Sequence, residues 1–296
     1  MPLFARALEN NKKEFFKQVI GEDILSKVFY ECNNHDKPAV YAQASIVVPF
    51  IDEALPDKYI QNDAFFKEER NIKYHFIDNK KESKGISSVY NEFLDNYNYA
   101  QDSWFIFMHS DFEFLTYPSN ILMQLDKSKI YGPYGGKIYK SKGKMFATEK
   151  GRVYEKSQDN TYFENFMYEF TNLSVDTLDC MCLIVHSSLV NKYNLRFDEN
   201  TMFDLYVEDF CLNANKQYGI PVEVTCFDCA HHSSYFKEQY ISRRYLTQLK
   251  YVNNKYNDDI YGGTVSPIGG RPLPVMSRNE FYSFLIRQEL LTGKKV

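Results

Sequence analysis

An imidazole and a carboxylate two positions apart, His109-Ser110-Asp111, are the sharpest chemical signal in this chain of 296 residues. The carboxylate brings the charge that a hard divalent cation needs. The imidazole can complete the shell, more readily for Mn2+ than for Mg2+. A second signal is the carboxylate pair Glu208-Asp209, and a third is the pair His231-His232. Asp52-Glu53 and Asp78-Asn79 add further polar pairs. Each also has an ordinary explanation: a polar turn, or acids that favour the first turn of a helix. Cys226, Cys229, His231 and His232 place four soft-metal ligands in seven residues, which makes a structural zinc conceivable. Read as a strand over 226–230, however, the alternation sends Cys226 and Cys229 to opposite faces, against a shared ion.

The elements that must position these groups follow from hydrophobic period. Trp104-Phe-Ile-Phe-Met108 is apolar without a break, as in a strand buried on both faces, and His109 and Asp111 lie at its exit. Ala44 to Pro49 and Ile72 to Ile77 read as two more strands, the first ended by Pro49 and the second by Asp78-Asn79. A helix is expected over 57–70. Another starts at Ile86, where apolar residues recur at 86, 89, 90, 93, 94 and 97. Strand, helix, strand, helix, strand implies parallel pairing, and ligands then bind beyond the strand ends. A short helix near 120–125 and a hairpin or mobile loop over 138–165 come next. Cys180 to Val185 reads as a strand. Val207, Phe210, Cys211 and Ala214 keep helical spacing up to a C-cap at Gly219, so Glu208 and Asp209 fall in a first turn. A strand over 222–226 ends toward His231 and His232. The polar strand ends then form a rim able to hold a nucleotide diphosphate through a divalent cation, with Asp111 supplying charge and His109 or a C-terminal histidine completing the shell.

Outside that body, residues 3–30 read as helices followed by a linker at Asn33 to Pro38. A helix over 241–252 carries Arg243 and Arg244, which could meet a diphosphate or a lipid headgroup, or simply face solvent. The Gly- and Pro-rich loop Tyr261 to Pro274 is a candidate lid or a connector. Ser277 to Glu280 is a capping box for a last helix. The expected organisation is a helical extension over 1–43, a main domain over 44–238 and a helical C-terminal extension over 239–296. The Gly-rich stretch 130–136 has neither phosphate-loop spacing.

A formal net charge of −4 gives no basic stripe for nucleic acid. The 24 Tyr suit a sugar-binding cleft, but they serve equally as core and rim. Six irregularly spaced Cys argue against a disulfide framework, and the expectation is a reduced, cytoplasmic chain. No run reaches the roughly 18 apolar residues of a membrane span.

Five stretches recur in an order that resembles a known family: Ser45-Ile-Val-Val-Pro49, Ile77-Asp78-Asn79, Ser87-Ser-Val-Tyr-Asn91, Phe107-Met-His-Ser-Asp111 and Tyr206-Val-Glu-Asp-Phe-Cys-Leu212. With the closing strand-to-His step, they resemble a family 2 glycosyltransferase of the GT-A fold in which His-x-Asp replaces Asp-x-Asp. The resemblance spans about residues 44–235. It implies an α/β fold with a mostly parallel mixed sheet flanked by helices. It places Pro49, Asp78, Asn79, Asn91, His109 and Ser110 on the nucleotide-sugar donor. Asp111, His109 and His231 or His232 fall at the metal, Mn2+ or Mg2+, and Asp209 with Glu208 beside it at the catalytic base.

The implied reaction is inverting transfer from a nucleotide-diphosphate sugar, expected to be a UDP-sugar. The implied acceptor is a glycan or lipid-linked glycan of a bacterial surface polysaccharide, capsule or lipooligosaccharide, with peripheral contact at the inner face of the membrane. The competing readings are a nucleotidyltransferase and a non-catalytic glycan-binding or partner subunit. The first is disfavoured because Phe50 to Leu55, after the first strand, holds neither Gly nor Lys.

Overall fold

The computed structural model describes residues 37–61, 64–141, 144–156, 162–167, 173–225, 227–232, 243–256, 267–268 and 271–272. The helices expected over 3–30 and after Ser277, and most of the 261–274 loop, lie outside these residues. Among the described residues no helix is long and apolar enough to cross a membrane.

The first sheet is built around β1 (Ala44–Phe50), β2 (Ile72–Asp78) and β3 (Trp104–Met108). β1 runs parallel to both neighbours, with Val47 opposite His75 on one side and Phe107 on the other. The strand passes through Pro49 rather than ending there, and Pro49 lies opposite Ile77. This is tolerated because the ladder to β3 stops at Val47, so no hydrogen bond is asked of the missing Pro49 N–H. Between β1 and β2 the single expected helix is instead three pieces: α1 (Ala54–Pro56), a π-helical turn (Asp57–Gln61) and α2 (Ala64–Glu68). Between β2 and β3 lies α3 (Ile86–Asn96), which buries Val89, Tyr90 and Leu94 on one stripe as expected.

After β3 the chain adds β4 (Phe112–Phe114), which the sequence pattern does not announce, and α4 (Pro118–Leu122). Then come β5 (Ile130–Gly132), β6 (Tyr134–Ser141), β7 (Lys144–Lys156) and β8 (Tyr162–Met167). β6 and β7 form a hairpin, one of the two alternatives expected over 138–165, though it begins earlier, at Tyr134. Gly132 and Gly135 of the 130–136 stretch serve close packing: a Cβ on Gly135 would stand 2.4 Å from the Thr177 carbonyl oxygen. Next in the chain are β9 (Leu173–Val175), β10 (Thr177–Leu178), β11 (Cys182–His186), α5 (Ser187–Tyr193) and α6 (Tyr206–Tyr218). Gly219 caps α6 in the left-handed region, as its position implied. The expected strand over 222–226 stops early, giving β12 (Val222–Val224) and a separate β13 (Cys229–His231). α7 (Arg243–Lys255) and a two-residue pair, β14 (Pro267–Ile268) with β15 (Arg271–Pro272), complete the described chain.

The strands form two mixed sheets flanked by helices. The larger has the order β2-β1-β3-β11-β5-β12-β9, and the second runs β10-β6-β7-β13-β4 with β8 added to β7. β11 is antiparallel to both β3 and β5, so the large sheet has parallel blocks on either side of that reversed strand, and the edge strand β9 is antiparallel to β12 as well. Period-2 alternation splits the core. Val47, Phe105, Phe107, Leu183 and Val185 face α3 and α6, whereas Ile46, Val48, Ile106, Met108 and Ile184 face Phe112, Phe114 and Phe227. Each large side chain so buried contributes about 1.5–3 kcal/mol. All five residues of β3 are buried, which makes this strand a rigid support for the polar residues at its exit.

Candidate functional site

His109 leaves β3 on the α6 side, fixed by its N–H to the Met181 carbonyl at 3.1 Å. Its Nδ1 is 3.9 Å from Asp111 Oδ1, and His231 Nε2 approaches the same oxygen at 3.5 Å. The three residues form a potential metal cluster whose donor atoms all lie within 4.8 Å of one another. Strand pairing explains the convergence. β13 runs antiparallel to β4 with His231 opposite Phe112, and the His232 N–H donates to the Asp111 carbonyl at 2.9 Å.

Alternation along β13 also separates the two histidines. His232 falls on the opposite face, where its Nε2 meets Glu113 Oε2 at 2.6 Å and its ring stacks on Tyr59 of the π-helical turn, centroids 3.7 Å apart. His231 therefore joins the cluster and His232 does not, which removes His232 from the expected ligands. The divergence of the two histidines also counts against the zinc alternative, whose Cys226 lies outside the described residues.

The cluster is an open recess: 33% of the His109 side chain and 23% of the Asp111 side chain reach solvent. Protein atoms nevertheless crowd both. Burial lowers His109 to about 4, so the ring is neutral and able to ligate. Burial alone would raise Asp111, but the charge and hydrogen bond of His231 outweigh it and hold the carboxyl well below its usual range. Two imidazoles and one carboxylate suit a first-row divalent cation such as Mn2+ better than Mg2+. That donor set fits the expected ion.

Helix α6 starts against this recess. The Tyr206 hydroxyl lies 2.7 Å from His109 Nε2 and 3.1 Å from the Cys180 carbonyl oxygen. The Cys180 thiol donates to Glu208 Oε2 at 2.9 Å. Glu208 is 1% exposed, and among the described residues its Oε1 has no hydrogen-bond partner. Burial and then Asp179 push its carboxyl up to about 8. Asp209, equally buried, points elsewhere. It accepts from Lys255 Nζ at 2.9 Å and from the Tyr256 hydroxyl at 3.0 Å. Burial raises Asp209 above its ordinary value, and the Lys255 ammonium opposes the rise. Lys255 also holds Asp198 at 2.6 Å, so α7 is tied onto α6. Arg244 pairs with Asp204 at 2.6 Å rather than standing free for a phosphate or a headgroup.

The remaining expected donor residues divide in two. Pro49 is buried in β1, Asp78 is exposed at the end of β2, and Ser110 is half-buried in the turn of the cluster. Asn79 and Asn91 instead fasten loops. The Asn79 amide exchanges two hydrogen bonds with the Lys84 backbone, at 2.8 and 3.0 Å. Asn91 does the same with Phe197, at 2.9 Å in both directions. Sequence reasoning passed over Tyr206, Cys180, Glu113, Tyr59 and Lys255. Tyr206 stands inside the Tyr-Val-Glu-Asp stretch that carries part of the family resemblance, but an aromatic at a helix start reads as core until its hydroxyl has a partner.

No family model matches the chain, and no curated protein matches it. Among solved structures it is similar to GalNAc-T7 with UDP, GalNAc and Mn2+, with a TM-score of 0.46 and 9% identity over 75% of this chain and 50% of that one. It is also similar to S. aureus TarS 1-349, with a TM-score of 0.42 and 12% identity over 74% of this chain and 66% of that one. The chain thus spans half to about two thirds of the length of these two proteins.

Proposed function

We propose that this chain is an inverting glycosyltransferase, moving a sugar from a nucleotide-diphosphate donor, a UDP-sugar in the first instance, to a hydroxyl of a glycan. The acceptor class we assign is a bacterial surface polysaccharide, free or lipid-linked. The observation that carries the reading is the meeting of His109, Asp111 and His231 at the exit of β3, against the first turn of α6 that bears Glu208 and Asp209.

In this reading His109, Asp111 and His231 hold the divalent cation. Bound there, the cation supplies charge neutralisation for the departing diphosphate. Asp78 and the end of β1 at Pro49 border the donor's nucleoside, while Asn79 and Asn91 keep the surrounding loops in place. Asp209 is the base. It removes the proton of the acceptor hydroxyl as that oxygen bonds to the anomeric carbon, and the bond from that carbon to the diphosphate oxygen breaks with its electron pair on the nucleotide. Burial raises Asp209 and so makes it a stronger base than an ordinary aspartate, while the Lys255 ammonium favours its charged form. Glu208, mostly protonated at neutral pH, stays beside it as a neutral acid.

The test is a panel of nucleotide sugars with and without Mn2+, read by nucleotide diphosphate release and by sugar transfer. Asp209→Asn is expected to bind donor normally and to lose transfer by about 10²–10⁴-fold. Full transfer by that variant overturns the base assignment. Release of pyrophosphate in place of a nucleoside diphosphate would make the protein a nucleotidyltransferase.

A further inference from the structure

We propose that Tyr206 is a positioning residue that fixes the tautomer of His109, holding the ring proton on Nε2 and leaving the Nδ1 lone pair facing Asp111 and His231. The inference rests on the metal reading of that cluster and adds the residue that prepares it.

A count of protons sets the direction of each bond. A phenol has one proton to give. The Tyr206 hydroxyl faces the Cys180 carbonyl oxygen at 3.1 Å, His109 Nε2 at 2.7 Å and the Tyr90 hydroxyl, which gives its own proton to the Met108 carbonyl at 3.3 Å. A carbonyl oxygen can only accept, whereas an imidazole nitrogen can accept or donate, so the arrangement that satisfies both contacts gives the phenolic proton to Cys180. Toward His109 the phenol oxygen is then the acceptor, and Nε2 must carry the hydrogen.

The opposing influence is Asp111, whose negative charge would draw the proton to Nδ1. At 3.9 Å that contact is too long for a hydrogen bond, whereas the Tyr206 contact is short. His231, closer to the same carboxylate at 3.5 Å, is the better partner for it.

Tyr206 is suited to the task because it cannot turn away. It is 0% exposed, and its ring packs against Tyr90 and Phe197 at centroid distances of 5.9 and 6.2 Å. The carbonyl that takes its proton is itself restrained, since Cys180 is tied through its thiol to Glu208. A ligating histidine generally has its second nitrogen fixed in this manner by an outer partner, and losing that partner costs about 10–100-fold in metal affinity.

The experiment uses the full chain labelled with ¹⁵N-histidine. In metal-free protein, the His109 signal, identified by its loss in His109→Asn, is expected to report the Nε2–H tautomer. In Tyr206→Phe the two tautomers mix, and Mn2+ binds about 10–100-fold more weakly by titration, with circular dichroism confirming a folded chain. A wild-type His109 in the Nδ1–H form overturns the proposal. So does a Tyr206→Phe protein with unchanged tautomer and unchanged Mn2+ affinity. Should wild-type protein bind no Mn2+, the metal reading fails by itself, and the tautomer measurement still decides the role of Tyr206.

Discussion

At the scale of single residues, Glu208 and Asp209 show how adjacent carboxyls acquire different chemistry. Consecutive positions on a helix point about 100° apart. Glu208 therefore meets a thiol and an apolar interior, while Asp209 meets an ammonium and a phenol. The raised value of Glu208, about 8 against 4.5 for an ordinary glutamate, has a direct consequence for stability. Between those two values the folded chain keeps a proton that the unfolded chain has released. Stability is thus full below about 4.5 and falls as the pH rises through 8, by a total on the order of 4 kcal/mol. Glu208→Gln removes the ionisable group. Its melting temperature, compared with wild type from pH 5 to pH 9, should gain steadily on the parent toward the alkaline end. Parallel curves for the two proteins would refute the burial of an ionisable Glu208.

At the scale of elements, β13 does more than end the second sheet. Its pairing with β4 places His231 beside Asp111 and sends His232 to the other face, onto Tyr59. The π-helical turn supplies that aromatic, and such turns recur where a side chain must be aimed. The two histidines should therefore part company under substitution. His231→Ala is expected to abolish measurable Mn2+ binding with little change in melting temperature. His232→Ala should keep Mn2+ affinity within about threefold while losing about 1–2 kcal/mol of stability, from the stacked pair and the Glu113 contact. Equal effects of the two on Mn2+ titration would contradict the division made by the strand.

At the scale of the whole molecule, α7 joins the body through buried Leu249 and Val252, through Arg244 on Asp204 and, at α6, through Lys255. Lys255 stands between Asp198 and Asp209, and burial would lower it were it not for those two acids, which hold it above its ordinary value. Lys255→Ala leaves both acids without a counterion. With 29% of the Lys255 side chain still in solvent, the loss should be about 2–3 kcal/mol, below that of a fully buried pair. Because Asp209 then loses its stabilising positive charge, the basic form is reached only at higher pH, and the acid limb of the transfer profile should move upward. An unchanged melting temperature would mean that α7 does not rest on α6 in solution.

This tie between helices was not legible in the sequence, where Lys255 is one charge among many. β3 was legible, since five apolar residues in succession leave few alternatives, and so was the end of α6 at Gly219. β4 was not, because three residues carry too little pattern and its existence depends on β13. The choice between His231 and His232 was hidden for a related reason: alternation has a period, but its phase is known only once a partner strand is in register. The recess itself could be suspected from polar strand ends, yet Tyr206 became meaningful only when its hydroxyl had neighbours.

The His109–Tyr206 contact joins positions 97 residues apart, and His232 meets Glu113 across 119. Contacts between such distant points close large loops, which slows folding. A chain in which these loops have not closed has no assembled cluster. An ion that needs all three ligands would then favour the finished chain alone, acting as a latch on maturation.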